Sequence, residues 1–359
     1  MAPKTGPKKL LFFRMNPKPE ISQAPGHDYE NAPLASSEVL AWLQWLKFAA
    51  GCAPEKIPLV VNLDESVMKL NYGQNRGLLI DRRHLPPNHK HRKEQISSAD
   101  AKAALTFIGF ITPDSSIQPK LPQIILGNKH KLTLGLVAEL TALKPENFRI
   151  WREESSWTCK SIMCRILTLL NTCLAEYKGT HQVILVLDVA SCHYHSSVLA
   201  YATRLGIRLV FVPGRLTWLL QPLDSHCFAR LKLRLREKWL SLATESETGT
   251  VSYKTWLCAV FEIVPSVLCG FKWKPAFKAN GLLGEHLVSD RILEQVGWAK
   301  PPVVPGCILS EEQLKSVFPQ RAKVSRNSLF SWHLKPKAKP KAKAGAMAVA
   351  KAAAAPMLD

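Results

Sequence analysis

The sequence predicts an α/β fold, and three observations carry that prediction. QVILVLD (182–188) and IRLVFVP (207–213) are branched apolar runs of strand length, the first apolar on both faces as a central, helix-covered strand is. Between them SSVLAYATRLG (196–206) reads as a short helix stopped by Gly206, which gives a strand, helix, strand order. Upstream, IPLVVNLDES (57–66) is a further strand of branched residues that, like QVILVLD, runs into an aspartate.

The elements follow in chain order. Residues 1–34 are rich in Pro, Lys and small polar residues and read as a loose basic leader. SSEVLAWLQWLKFAAG (36–51) reads as a short helix capped by Ser36 or Ser37, with Val39, Leu40, Leu43, Leu46 and Phe48 on its apolar side. The strand IPLVVNLDES is expected to break at its acids. DRRHLPPNHKHRK (81–93), with two prolines and dense positive charge, reads as a surface loop. AALTFIGFITPDSSIQPKLPQIILGNK (103–129) reads as two strands around a Pro, Asp and Ser turn, close to a hairpin. SWTCKSIMCRILTLLNTCLAEYKG (156–179) follows as a helix of about 18 residues, apolar at Ile162, Ile166, Leu169, Leu170 and Leu174 and stopped at Gly179.

After IRLVFVP, the stretch QPLDSHCFARLKLRLREKW (221–239) has Pro and Asp where a helix starts and its basic residues later, the order that the helix dipole favours. Leu231, Leu233 and Leu235 cannot all be buried on one narrow face of that helix. Between 241 and 320 the pattern gives helical fragments, around YKTWLCAVFEIV and SEEQLKSVF. From Lys335 the chain alternates Lys with Ala and Pro, a composition that cannot pack a core and suits either an extended basic arm or a solubilising tail. The expected organisation is a leader (1–34), an α/β domain (35–240), a mostly helical extension (241–330) and a disordered tail (331–359).

Composition narrows the function classes. With 48 Lys and Arg against 28 Asp and Glu, the formal charge is +20, a field that favours a polyanion without saying which. No run approaches the roughly 18 apolar residues of a membrane span, and the N-terminal apolar stretch is too short for an export signal, so no membrane partner is expected and an intracellular protein is the simplest reading. The nine cysteines form no C-x-x-C pair, which points to buried thiols rather than disulfides or a structural zinc.

Three aspartates then stand out. Asp64 and Asp188 end their strands and Asp224 lies just beyond the strand IRLVFVP, near a helix start. If the first two strands are neighbours, their carboxylates emerge at one edge of the sheet, where ligands of open α/β sheets bind. Converging carboxylates repel unless cations lie between them, and hard ions such as Mg²⁺ take oxygen ligands of this kind. Two such ions hold the attacking and leaving oxygens of a phosphodiester in line. A solvated aspartate at a strand end is the alternative for each residue.

Four segments in order resemble the DDE superfamily endonuclease domain of pogo and Tigger type transposases, a group that includes domesticated relatives such as centromere protein B. CAPEKIPLVVNLDES is similar to the family's first acidic strand, with its N-x-D-E ending, and LTFIGFITPDSSIQPKLPQIILGNK to the strands that follow. ILVLDVASCH resembles the second acidic strand, and LVFVPGRLTWLLQPLDSHCFARLKLRLREKW the strand, Thr loop, LQPLD and basic helix that carry the third acid. The likeness covers roughly residues 48–240. It implies a ribonuclease H-like mixed sheet with helices on its faces, and it makes Asp64, Asp188 and Asp224 the catalytic, metal-binding residues, holding Mg²⁺ or Mn²⁺, two ions in all. Metal-bound water or a DNA 3′-hydroxyl would then attack a phosphodiester. Nicking and strand transfer would share the site.

The resemblance also implies DNA as the partner, a nuclear location and scope for a homo-oligomer. Family members recognise DNA ends through a separate N-terminal helix-turn-helix region. Here about 50 residues with one helix precede the first acidic strand, so a separate DNA-targeting partner is a further expectation. Val189 stands where the family has Asn, and PGRLTW replaces a more polar Thr loop. A catalytically silent, domesticated DNA-binding protein is therefore the alternative, and an RNA-cleaving relative a weaker one.

Other residues have supporting readings. Glu65 would point to the opposite strand face from Asp64 and act in support of the site or of the fold. His193 lies where the family has His and could orient a phosphate, brace the site or cap a helix. Cys192, His193 and His195 lack a fourth ligand for zinc. Gln221 is expected to hold the loop bearing Asp224, and Pro222 to set its entry into the helix. Lys232, Arg234 and Arg236 could touch DNA, and FKWKPAFK (271–278) could stack bases or pack against the core.

Overall fold

The structure is a computed structural model and describes residues 32–69, 104–246, 251–283 and 287–318. The readings of the leader, of loop 81–93 and of the lysine-rich tail lie outside the described residues.

The architecture is α/β: a mixed six-stranded sheet with helices against it, consistent with a ribonuclease H-like fold. Helix α1 (Ala32–Gly51) leads into β1 (Ile57–Lys69). Strands β2 (Ala104–Ile111) and β3 (Gln123–Asn128), helix α2 (Leu134–Leu143) and strand β4 (Phe148–Glu153) follow. Next come α3 (Lys160–Cys173), β5 (His181–Leu187), α4 (Ser196–Leu205) and β6 (Arg208–Phe211). The short α5 (Thr217–Leu220) precedes the long α6 (Phe228–Glu245), and α7 (Tyr253–Leu268), α8 (Lys274–Ala279), α9 (Asp290–Val296) and α10 (Glu311–Val317) complete the described chain.

The strand order is β4-β3-β2-β1-β5-β6. β2 alone runs against its neighbours, pairing antiparallel with β1 and β3, while β1/β5, β5/β6 and β3/β4 are parallel. The parallel strands therefore present their carboxyl ends along one edge. β5 lies in the middle of the β1-β5-β6 unit and is buried from Gln182 to Leu187, which is why its sequence is apolar on both faces.

Phe107 of β2 meets Phe228 of α6 edge-on at 6.5 Å, and Phe148 of β4 meets Phe261 of α7 at 5.3 Å, so α6 and α7 cover the sheet face to which Phe107 and Phe148 belong. α3 and α4 pack on each other, joined by the Thr168 and Tyr201 hydroxyls at 2.7 Å. Trp45 of α1, Phe211 of β6 and Phe318 lie within 5.8 Å of one another by ring centroid, tying the two ends of the described chain to the sheet. One continuous hydrophobic core runs from Val39 to Phe318.

Several expectations are corrected. α1 starts at Ala32, before the serines, so neither Ser36 nor Ser37 caps it; Pro33 falls in the first turn, where a missing N–H costs nothing. Ser36 instead accepts a hydrogen bond from Trp298 Nε1 at 2.6 Å. β1 does not break at its acids, because β2 continues to pair with it as far as Lys69 opposite Ala104. α3 has 14 residues and ends at Cys173 in a short 3₁₀ turn, so Gly179 does not stop it. α2 and β4 are elements that the strand and helix patterns above did not anticipate. As expected, the three leucines on α6 are not all buried: Leu231 and Leu235 are, and Leu233 is 55% exposed.

Candidate active site

The sheet register brings the first two acids together. Asn62 is the last β1 residue paired in parallel with β5, opposite Val186. Asp64 and Asp188 each follow two residues later, so they emerge side by side and, by strand alternation, on the same face. Asp64 lies opposite Gly109 of β2, on the face shared with Phe107 and covered by α6. Asp64 is buried, whereas Asp188 follows the end of β5 with about a third of its side chain exposed.

Asp224 arrives from the helical side. It is exposed and lies in a single π-helical turn, Leu223–Cys227, that leads directly into α6. Such a turn widens the helix by a residue and is frequent at functional sites. Burial pushes the Asp64 carboxyl well above its ordinary range, and the negative charges of Asp224, Glu65 and Asp188 add to the rise. Four carboxyl groups thus share one field.

His193 balances part of that field. Its side chain is 1% exposed; Nδ1 lies 2.6 Å from Asp188 Oδ1, and Nε2 lies 3.2 Å from Glu65 Oε1. Burial lowers the affinity of His193 for a proton, but hydrogen bonds to Asp188, Cys192 and Glu65 outweigh it and hold the imidazolium well above its usual range. Burial likewise opposes ionisation of Asp188, and the His193 hydrogen bond and charge outweigh it, leaving that carboxyl below its usual range. Glu65, although on the other strand face by alternation, reaches the site through this histidine. His195 is apart: it is the N-cap of α4, where its Nδ1 accepts from Ser197 N.

The turn bearing Asp224 is held from two sides. From inside, Asn62 Oδ1 accepts the Leu223 N–H at 2.8 Å, and Gln221 Nε2 reaches the Leu63 carbonyl at 3.5 Å, while the buried Gln221 Oε1 has no partner. From outside, Asn280 Nδ2 donates to Leu219 O at 2.5 Å and to Ser225 Oγ at 3.0 Å. Arg291 donates to Leu219 O at 2.9 Å and Trp218 O at 2.8 Å. Pro222 is the residue from which the π turn starts. Sequence reasoning missed Asn280 and Arg291, and it included Asn62 in the N-x-D-E ending without giving it a role. Of the three only Asn62 left a signal, in that motif and as a lone amide inside an apolar strand.

The donor set suits a hard divalent cation in kind, being all carboxylate oxygen, and in field, since Asp64 bears the repulsion that a cation would relieve. Among the described residues, however, no three His, Cys, Asp or Glu side chains are drawn together into a ready set of metal ligands.

The mixed sheet, consistent with a ribonuclease H-like fold, thus places Asp64 and Asp188 just past the last paired positions of two adjacent parallel strands, with Asp224 at a helix start. Residues 115–266 match the family model of the DDE superfamily endonuclease, a span that includes Asp188 and Asp224 and begins after Asp64. Neither a curated protein nor a solved structure matches the chain.

Proposed function

We propose that this protein is a transposase-like endonuclease of pogo or Tigger type that cuts or joins DNA phosphodiesters, with Asp64, Asp188 and Asp224 holding the divalent cations. The observation that carries the reading is the shared field at Asp64: a buried carboxyl at the register position of Asp188 that also feels Asp224 from a separate helix start. The DDE superfamily endonuclease match over 115–266 supports it.

When bound, Mg²⁺ or Mn²⁺ ions supply the charge that stabilises the attacking and leaving oxygens of the phosphodiester. Within the chain, His193 keeps Asp188 ionised and fixes its orientation. Both the His193 contact and the Ala190 N–H bond fall on Oδ1, which leaves Oδ2 as the ligating oxygen. Glu65 anchors the other side of the imidazole. α6 carries exposed Arg230, Lys232, Arg234 and Arg236 away from Asp224, and the Arg230 guanidinium stacks 4.1 Å above Phe271, beside exposed Lys272 and Lys274. This basic surface is suited to the phosphate backbone. In FKWKPAFK, Trp273 is 4% exposed and packs in the core, so Phe271 alone remains available for stacking.

The same reading carries a nuclear location, a four-part organisation at 1–34, 35–240, 241–330 and 331–359, and either a homo-oligomer or a separate targeting protein to choose the DNA site. Among the described residues no helix is long and apolar enough to cross a membrane.

The test is nicking of supercoiled plasmid by the purified protein with Mg²⁺ or Mn²⁺, beside Asp188→Ala and Asp224→Ala. Cleavage that needs the metal and falls by at least about 10³-fold in both variants is expected. A second reading, a catalytically silent DNA-binding protein derived from a transposase, is favoured by the absence of a ready three-ligand set among the described residues. Folded wild-type protein that binds DNA and cleaves it with neither metal would establish that reading instead.

A further inference from the structure

We propose that Asn62 is the positioning residue of the three-acid site: its one amide ties together the three elements that carry Asp64, Asp188 and Asp224. The inference rests on the reading of that site as a metal centre. Asn62 has no exposed surface and interrupts an otherwise apolar run in β1. A buried amide there costs stability unless both ends are hydrogen-bonded. Both ends are used, and each partner lies just before an acid. Oδ1 accepts from Leu223 N at 2.8 Å, one residue before Asp224; Nδ2 donates to Val186 O at 3.1 Å, two residues before Asp188, and to Leu63 O at 3.3 Å, next to Asp64.

The chemistry explains why an amide is required. Leu223 begins a helical turn, where the first N–H groups have no acceptor within the helix, and Asn62 Oδ1 supplies one from the sheet. Val186 O is on the neighbouring parallel strand, so the same side chain donates across the ladder at the last paired position. A hydroxyl is too short to span both, and an aliphatic side chain satisfies neither. Gln221 and Asn280 brace the Asp224 turn through hydrogen bonds to Leu63 O, and to Leu219 O and Ser225 Oγ, all of them outside β5.

The experiment compares the wild-type full chain with Asn62→Leu, Asn62→Ser and a control of unrelated location, Leu140→Ala, which empties a buried position in α2. Two quantities are read: native-state hydrogen exchange of the Leu223 amide, and Mn²⁺ affinity from electron paramagnetic resonance of the ion. Asn62→Leu is expected to speed exchange at Leu223 about tenfold and to weaken Mn²⁺ binding about tenfold, with Asn62→Ser moving both in the same direction. Leu140→Ala, at equal or greater loss of thermal stability, is expected to move neither. Asn62 variants that change exchange and Mn²⁺ affinity no more than Leu140→Ala does would overturn the proposal. Should Asn62→Leu fail to fold, Asn62→Ser decides. Should the wild type bind no Mn²⁺, the metal reading of the site fails on its own, and exchange at Leu223 still judges the clamp.

Discussion

A histidine with 1% of its side chain exposed, held between Asp188 and Glu65, makes the site's electrostatics testable one residue at a time. Because His193 binds its proton more tightly in the folded state, its contribution to stability is complete below the ordinary value of 6.5 and is lost as pH rises through its raised folded value. Asp188 works in the opposite sense: its contribution is present above the ordinary 3.8 and is lost as pH falls through its lowered folded value. The pair's stabilisation is therefore complete between pH 3.8 and 6.5 and declines above 6.5 as pH rises through the raised His193 value. In Asp188→Asn, NMR titration of the His193 ring should show its proton lost at lower pH, and the alkaline fall in stability should move with it. Asp64 carries a cost instead, since its raised value means that ionisation in the folded state is opposed. Asp64→Asn should raise stability at neutral pH, where the wild-type carboxyl must ionise against this opposition, with the gain vanishing in acid. Calorimetry across pH checks both signs.

At the scale of elements, the ends of helices decide what is fixed. Gly281 follows α8 and Asn280 with φ of 72°, and a Cβ there would lie 2.4 Å from the Leu287 carbonyl oxygen and 2.8 Å from Ile292 Cδ1. Gly206, the C-cap of α4, has nearly the same φ of 71° but open space around it. Gly206→Ala should therefore cost only the left-handed backbone, about 1–2 kcal/mol, and Gly281→Ala more than that, read by thermal unfolding. If Gly281→Ala also shifts the loop that Asn280 clamps, metal-dependent cleavage falls with it. The α4 helix and its Gly206 stop were legible because apolar spacing and a terminal glycine agree there. α2 was not, because Leu134 and Leu143 are 71% and 55% exposed, so its apolar residues do not mark a buried face; its surviving signal is the Thr133 N-cap. β4 has Arg149 and Arg152 on an edge strand that is only half-buried, which hides strand alternation.

At the scale of the whole molecule, the formal charge of +20 stands against a candidate site made of acids. On the proposed reading, a polyanion is attracted by the net charge and repelled by the acids unless cations intervene. Affinity for duplex DNA should fall linearly in log–log form with salt, by about 0.9 in slope for each phosphate contact. The double variant Lys272→Ala and Lys274→Ala should reduce that slope by up to about 2 in a fluorescence anisotropy titration, leaving plasmid nicking at saturating protein unchanged. An unaltered slope would remove these lysines from the DNA surface.

The sequence by itself determined the α/β class, the central strand of β5, the helix and glycine stop that follow it, and the identity of the three aspartates as the acids to compare. These follow from local rules: apolar runs make strands, glycine ends helices, and an acid after an apolar run is conspicuous. Only the tertiary structure decided that β1 runs on past Asp64, that Glu65 reaches the site through His193, and that Asn62, Asn280 and Arg291 hold the Asp224 turn. Those facts depend on hydrogen bonds between residues far apart in the chain, 161 positions for Asn62 and Leu223, and no local pattern encodes which distant backbone group a buried amide will meet.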